Sequence, residues 1–159
     1  MITIRTERLT IIPMTENEMT DLINRYKECV PALSVAYQEM LDSCVAYPEQ
    51  YAWYCTWKIL LTDNQEQVGN ACFKGFNNGS PEIGYGINDE YCGMGYATEA
   101  VTALCEWALS MPKVVSVEAE TESNNESSKR VLLKTGFVPT GETGDEGPRY
   151  IIKLPLSRQ

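Results

Sequence analysis

The residues best suited to chemistry lie in a glycine-bearing turn between a predicted strand and a predicted helix. The segment runs over residues 82–100, and its turn contains Gly93 and Gly95 ahead of a helix that begins near Tyr96. The first N–H groups of a helix have no intrahelical acceptor, and the positive end of the helix dipole lies behind them. Glycine allows left-handed dihedrals and lets an anion approach the backbone, because it has no Cβ. The pattern predicts a cradle for an anion such as phosphate.

Two common phosphate-binding motifs do not fit this turn. No Lys-Ser or Lys-Thr pair follows the glycines, and no third glycine completes the G-x-G-x-x-G spacing. A pair of glycines is also common in turns that serve packing alone. The turn by itself therefore leaves two interpretations open, an anion site and an ordinary strand-to-helix connection.

A second segment, about thirty residues downstream, supports the anion site. It covers residues 124–137 and reads NNESSKRVLLKTGF. Asn125 and Ser128 lie three positions apart at a predicted helix start, so they share one face, and Asn124 or Asn125 is a good N-cap. In this order the two segments resemble the GNAT superfamily of acetyl-CoA-dependent N-acetyltransferases. Residues 97–100, Ala-Thr-Glu-Ala, are typical of its Rim-type group, the ribosomal-protein acetyltransferases and their relatives.

The resemblance implies a ligand and the residues that bind it. In GNAT proteins this turn binds the pyrophosphate of acetyl-CoA, so acetyl-CoA is the expected co-substrate and no metal is expected. The asparagine, here Asn125, is expected to bind the pantetheine arm, and a backbone N–H of the 85–87 stretch to polarise the thioester carbonyl. The expected acetyl-CoA-binding residues are Tyr85, Ile87, Gly93, Met94, Gly95, Tyr96, Ala97, Thr98 and Asn125.

The resemblance also implies a group that assists the leaving thiolate. Many GNAT branches carry an acidic tyrosine four positions beyond the serine, but Leu132 occupies that position here. Rim-type relatives place a hydroxyl near the sulfur at the position of Ser128. Because a thiol has a pKa near ~8.5, a hydrogen bond from this serine would suffice.

Charged residues near the two segments lead to two further predictions. Glu90 stands where many relatives have Gln or Arg, and it is predicted to face solvent because a carboxylate would repel pyrophosphate. Lys129, Arg130 and Lys134 could add positive charge near phosphates, but a solvated basic face is the simpler prediction.

The general base must be something other than histidine, because the chain contains none. An α-amino group, with a pKa near ~8, needs little help to lose its proton, whereas a lysine at ~10.4 needs a base. Relatives often use a glutamate at the position of Glu82, directly or through water, and Glu120 on the next strand is the alternative. A solvent-facing strand residue is an equally simple interpretation of Glu82.

Composition limits the classes of function. The chain has 159 residues, enough for one domain with a core, and 13 Lys and Arg against 22 Asp and Glu give a net charge of −9. This acidity argues against nucleic acid and anionic membranes as partners, and it is compatible with a cationic acceptor or with a merely soluble surface. No apolar run reaches the ~20 residues of a membrane span and residues 1–5 lack a signal-peptide core, so a soluble, cytoplasmic protein is expected.

The six cysteines do not have the spacing of metal ligands, since no two lie within four residues of each other. Together with the absence of histidine, this spacing predicts that no metal is bound. Reduced and mostly buried thiols are expected.

The first half of the chain is predicted to form one strand, two helices and a meander. Residues 2–12 alternate as a strand that ends at Pro13, and a capping box at Thr15 and Glu18 starts a helix. A second helix follows over about 32–47. Three strand-like runs, 53–61, 68–76 and 81–87, with the turn signal Asn-Asn-Gly at 77–79, form an antiparallel meander that leads into the glycine turn.

The second half is predicted to place helices against this sheet. The helix after the turn has a stripe for packing formed by Ala97, Ala100, Val101, Leu104 and Ala108. A strand over 114–120, a helix over 125–135 that Gly136 stops, and strands over 137–141 and 150–154 complete the order.

The aromatic residues between Tyr37 and Trp57 allow two interpretations. Such density usually means a core, but some of these rings could line an acceptor pocket. The sequence does not decide between them.

The combined expectation is a single α+β domain over residues 1–159 with a GNAT-like fold. It consists of a mixed and mostly antiparallel sheet flanked by helices, with acceptor-side helices over about 14–47 and an acetyl-CoA-binding core over about 81–141. The resemblance implies transfer of an acetyl group to a primary amine by direct attack, the acceptor being a protein N-terminus or a small amine such as a polyamine or an antibiotic. The alternative is a non-catalytic acyl-CoA-binding module, and a homodimer is compatible with either.

Overall fold

The computed structural model describes residues 2–153, and over these residues eight strands and five helices follow one another in an α+β arrangement. The strands are β1 (Ile4–Arg5), β2 (Leu9–Pro13), β3 (Thr56–Leu61), β4 (Gln67–Phe73), β5 (Ile83–Ile87), β6 (Ser116–Glu120), β7 (Val138–Thr143) and β8 (Pro148–Lys153). The helices are α1 (Glu16–Tyr26), α2 (Pro31–Ala46), α3 (Tyr51–Tyr54), α4 (Tyr96–Ser110) and α5 (Glu126–Thr135).

The strands form two antiparallel sheets that meet at one point. The first sheet has the order β1-β2-β3-β4-β5 and the second the order β6-β8-β7. A single parallel bridge between Glu82 and Glu118 joins them, after which β5 and β6 diverge. The sheet is therefore mixed and mostly antiparallel, as predicted, and a gap opens beside β5.

The direction of the β5 backbone follows from its pairing with β4. The carbonyl of Glu82 accepts from Lys74 N–H and the amide of Asn88 donates to Val68 O, so the even-numbered residues direct their polar backbone groups towards β4. Because backbone direction alternates in an antiparallel strand, Tyr85 and Ile87 direct theirs into the gap.

Local sequence explains where the helices begin and end. Thr15 and Glu18 form the predicted capping box at the start of α1. Asn125 is the N-cap of α5, its side chain accepting from Ser128 N–H, and Gly136 ends that helix with φ 114°. No helix within residues 2–153 is long and apolar enough to cross a membrane.

The core lies between the first sheet and α4. Four residues of the predicted stripe of α4 are buried in this core: Ala100, Val101, Leu104 and Ala108. The fifth, Ala97, is only partly buried and lines a cleft. Three of the six cysteines, Cys44, Cys55 and Cys105, are buried, and all six are free thiols.

Two predicted strands differ from the structure. Residues 2–12 are not one strand but a hairpin, because the chain reverses at Thr6–Arg8 and Ile4 pairs with Ile11. Trp53 and Tyr54 belong to the helical turn α3, so the strand predicted over 53–61 begins only at Thr56. Tryptophan and tyrosine favour strands, but burial of Trp53 against Phe73 outweighs that preference here. Leu154, the end of the last predicted strand, lies outside the described residues.

Candidate functional site

The glycine turn forms one wall of a cleft. Gly93 and Gly95 have φ values of 81° and 84°, the left-handed region that the turn pattern predicts. Within residues 2–153 the amides of residues 93–95 donate to no backbone group, and the first helical bond of α4 is Glu99 N–H to Gly95 O. The amides of residues 96–98 therefore have no helical acceptor either. A run of six N–H groups is left free. Five of the six residues, all except Met94, line a cavity of about 280 Å³.

The opposite wall of the cleft belongs to α5. Ser127, Arg130, Val131 and Lys134 line the same cavity as the turn. The basic residues at 130 and 134 thus face the free amides, which corrects the prediction of a merely solvated basic face. Lys129 does not join them, because its ammonium bonds Ser123 O and Glu126. Glu90 is exposed and does not line the cavity, as predicted.

Arg8, in the N-terminal hairpin, contacts the glycine turn. Arg8 donates to Met94 O at 2.9 Å and to Glu99 Oε1 at 2.8 Å, and its guanidinium lies 4.5 Å from the centre of the Tyr96 ring. The hydroxyl of Thr6 also donates to Glu99. Those hydrogen bonds and the charge of Arg8 outweigh burial and hold the pKa of Glu99 below its usual range. The charge of Arg8 thereby balances that of the Glu99 carboxylate at the start of α4, next to the free amides.

The gap between β5 and β6 brings Tyr85 and Ser128 together. Their hydroxyl oxygens lie 2.9 Å apart, within hydrogen-bonding distance. Burial raises the pKa of Tyr85, so its phenol stays neutral, and either hydroxyl can donate to the other. The side chain of Asn125, at the N-cap position, lies one helical turn before Ser128. Residues of both predicted segments therefore meet here, and the amides of Tyr85 and Ile87 are directed towards the gap beside β5.

Three carboxylates surround one arginine at the point where the sheets meet. Arg149 contacts Glu120 at 2.5 Å, Glu82 at 3.0 Å and Glu118 at 3.3 Å. The second oxygen of Glu82 holds Lys74 at 3.0 Å. Both candidate bases, Glu82 and Glu120, are therefore engaged with cations.

The two candidate bases differ in how firmly they are held. Glu120 accepts from Glu146 N–H and from Arg149, each at 2.5 Å, and its side chain is only 7% exposed. The hydrogen bond from Glu146 N–H is the main cause that lowers the pKa of Glu120, and Arg149 adds to it. The Lys74 partner of Glu82 is 49% exposed, and an exposed pair of this kind is weak.

Replacing Arg149 by methionine is expected to lower the melting temperature at pH 7 by about 5–10 °C, because three carboxylates lose their shared cation. The lowered pKa of Glu120 stabilises the fold above the unfolded carboxyl pKa of ~4.3, and this contribution disappears as pH falls through the folded value. The difference between variant and wild type should therefore be smaller at about pH 3 than at pH 7 in thermal unfolding. An equal difference at both pH values would assign the effect to packing instead of charge.

A second pocket lies on the other face of β5, beneath α2. It has a volume of about 290 Å³, and Tyr37 and Met40 of α2 and Cys72, Gly84 and Gly86 of the sheet are among its lining residues. The aromatic residues divide accordingly. Trp53 and Trp57 pack in the core with Phe73 and Trp107, whereas Tyr37 lines the pocket. The core interpretation is therefore confirmed for Trp53 and Trp57, and Tyr37 lines a pocket whose ligand stays a prediction.

Sequence reasoning missed the roles of Arg8 and Arg149. Arg8 lies 91 residues from its partner Glu99, and Arg149 lies 67 residues from Glu82. The sequence showed no local signal for either contact.

Comparisons with known proteins agree on one family. A family model described as an acetyltransferase (GNAT) domain matches residues 8–138. The uncharacterized N-acetyltransferase YjdG of Bacillus subtilis is 39% identical over 85 residues, an alignment that covers 52% of this chain and about half, 51%, of that relative. The uncharacterized N-acetyltransferase p20 of Bacillus licheniformis is 26% identical over 152 residues, covering 89% of this chain and 85% of that one.

The fold has solved counterparts. The structure of RimL, a ribosomal L7/L12 alpha-N-protein acetyltransferase in complex with coenzyme A, superposes with a TM-score of 0.73, covering 96% of this chain and 98% of that one. Its sequence is 15% identical, so the similarity establishes a shared fold.

Proposed function

The chain belongs to the GNAT acetyltransferase family, and on that premise we propose that it transfers an acetyl group from acetyl-CoA to a primary amine as a member of the Rim-type group. The observation that carries the proposal is the run of free amides at residues 93–98, which faces Arg130 and Lys134 across a cleft. This arrangement fits a pyrophosphate, because charge-assisted hydrogen bonds of ~1.5–3 kcal/mol each can be made by several donors at once.

The proposed contacts to acetyl-CoA run from the glycine turn along the gap between β5 and β6. Gly93, Met94, Gly95, Tyr96, Ala97 and Thr98 hold the pyrophosphate through the free backbone amides of the turn, with the Thr98 hydroxyl as a further donor. All of them except Met94 line the cleft. Asn125 and the backbone of Tyr85 and Ile87 bind the pantetheine arm and the thioester carbonyl. Acetyl-CoA supplies the acetyl group as a thioester.

The proton transfers are assigned to two residues. Transfer forms an amide C–N bond and breaks the thioester C–S bond. The acceptor ammonium loses two protons, one of which leaves through Glu82 to solvent while the other is balanced by protonation of the CoA thiolate from solvent. Ser128 donates a hydrogen bond towards the sulfur, supported by the phenol of Tyr85. Glu82 receives a proton from the amine. We prefer it to Glu120 because its Lys74 partner is half exposed and readily displaced, whereas Glu120 is nearly buried and firmly held.

The proposal also covers the location of the protein, its ligands and its oligomeric state. A cytoplasmic location is compatible with six free thiols. Acetyl-CoA and an amine are the proposed ligands, and a homodimer is compatible with the proposal.

The experiment that tests this function measures release of CoA thiol from acetyl-CoA in the presence of amines, peptides and polyamines, alongside calorimetric titration with CoA. Amine-dependent release with stoichiometric CoA binding is the expected result. Binding without release by any amine would favour a non-catalytic acyl-CoA-binding module. No binding would contradict the proposal entirely.

A further inference from the structure

The pocket beneath α2 is uncharged. Its α2 wall consists of Leu33, Ala36, Tyr37 and Met40, and its floor on the sheet includes Cys72, Gly84 and Gly86. None of the residues that line it is charged. Its volume of about 290 Å³ leaves room for one apolar side chain of a ligand.

The two glycines bring this pocket close to the gap beside β5. A Cβ at Gly86 would meet no atom within 4 Å, so the strand is open there. A Cβ at Gly84 would lie 3.6 Å from both the Cys72 sulfur and Lys74 Cε. The side chain of Lys74 therefore runs past the pocket floor at Gly84.

Lys74 places an ammonium group at the edge of this floor. Its Nζ lies 3.0 Å from Glu82 Oε2. Burial opposes the charge of Lys74, but the hydrogen bond and the charge of Glu82 outweigh burial and raise the pKa of the lysine. The side chain is nonetheless half exposed, so another ammonium can displace it at little cost.

Resting on the proposed function, we propose that the acceptor is a primary amine that carries an apolar group on the carbon bearing the amino group. Its ammonium replaces that of Lys74 at Glu82, and its apolar group enters the pocket beneath α2. The ammonium meets a cluster of three carboxylates and, once Lys74 has moved away, one remaining cation, Arg149.

The same pocket disfavours polyamines. A second ammonium extending from Glu82 into the pocket would lose its hydration without gaining a carboxylate, since none lines that space. An apolar group gains from burial there, and full burial of a leucine side chain is sufficient for a preference of about tenfold or more.

The test compares four acceptors by CoA thiol release. Leucinamide and glycinamide differ only in the apolar group, a peptide beginning with leucine separates a protein N-terminus from a small amine, and spermidine represents polyamines. We expect kcat/KM to be at least tenfold higher for leucinamide or the leucine peptide than for glycinamide and spermidine. Preference for either leucine acceptor supports the proposal.

Two variants on α2 form a matched pair. Ala36→Phe fills the pocket and should lower kcat/KM for the leucine acceptors about tenfold, to the glycinamide value, with an unchanged Kd for CoA. Val35→Phe adds a phenyl ring at the neighbouring position, which is 57% exposed and outside the pocket, and it should change neither quantity. Lys74→Ala should lower KM for the amine a few-fold, because the competing ammonium is gone.

The outcomes separate this inference from the function on which it rests. Equal kcat/KM for all four acceptors, a preference for spermidine, or an Ala36→Phe variant with wild-type kinetics would overturn the acceptor assignment and leave the transferase in place. Absence of both CoA binding and acetyl transfer would overturn the proposed function and this inference with it.

Discussion

Replacing Gly93 by alanine is expected to weaken CoA binding by about 10- to 100-fold. The residue has φ 81°, a conformation that costs an L-residue roughly 1–2 kcal/mol, so the turn would shift to dihedrals that misdirect its amides. A lost charge-assisted hydrogen bond is worth ~1.5–3 kcal/mol, and ~1.4 kcal/mol corresponds to a tenfold change in Kd. The new methyl group would also occupy space that the phosphate needs. Calorimetric titration with CoA measures the change.

Gly141 offers a matched control for this variant. It has φ 84°, and a Cβ there, as at Gly93, would meet no atom within 4 Å. Gly141→Ala should therefore lower thermal stability about as much as Gly93→Ala while the Kd for CoA stays at the wild-type value. Equal CoA affinity in the two variants would show that the turn at Gly93 does not bind the phosphates.

Local patterns were sufficient to predict the parts of the site that depend on neighbouring residues. The capping box at Thr15, the left-handed glycines of the turn and the Asn125 cap all follow from interactions within a few positions. The order of elements from β3 onwards was also predictable, because alternating hydrophobicity and the Asn-Asn-Gly turn define a meander. For the same reason the α+β fold with its mostly antiparallel sheet was predicted and is confirmed.

Contacts between distant residues could not be predicted in this way. The sequence predicts one strand over residues 2–12, because the charged residues that reverse the chain at Thr6–Arg8 also fit an alternating pattern. Its function in holding Met94 and Glu99 depends on tertiary packing. The same is true of Arg149, whose three carboxylate partners are Glu118 and Glu120 of β6 and Glu82, the residue before β5. Hence the sequence suggested Glu82 as a base without indicating its two cationic partners.

The basic residues of α5 differ from their prediction in another way. Arg130 and Lys134 are exposed, as a solvated face requires, and they also line the cleft. Helical periodicity places residues 130 and 134 on one face but cannot say what lies opposite that face. The packing of α5 beside α4 determines that this face lines the cleft.

Replacing Ser128 by alanine is expected to lower the single-turnover rate of acetyl transfer by about 10- to 100-fold with little change in the Kd for CoA. The hydroxyl is proposed to stabilise the leaving thiolate, and a hydrogen bond to a charged group is worth ~1.5–3 kcal/mol. The helix start should survive, because Asn125 accepts from the backbone N–H of residue 128 and not from its side chain. Ser110→Ala, also a serine-to-alanine change in a helix, should leave the rate unchanged.

Tyr85→Phe tests whether the two hydroxyls act as one unit. Because the Tyr85 oxygen lies 2.9 Å from that of Ser128, removing the phenol should slow transfer by about 3- to 10-fold through the orientation of the serine. Once Ser128 is alanine, the phenol has nothing to orient, so the double variant should be about as slow as Ser128→Ala alone. Rate losses that multiply in the double variant would mean that Tyr85 acts on the thiolate independently. A wild-type rate for Ser128→Ala would remove the serine from the mechanism and make the adjacent phenol of Tyr85 the next side chain to test.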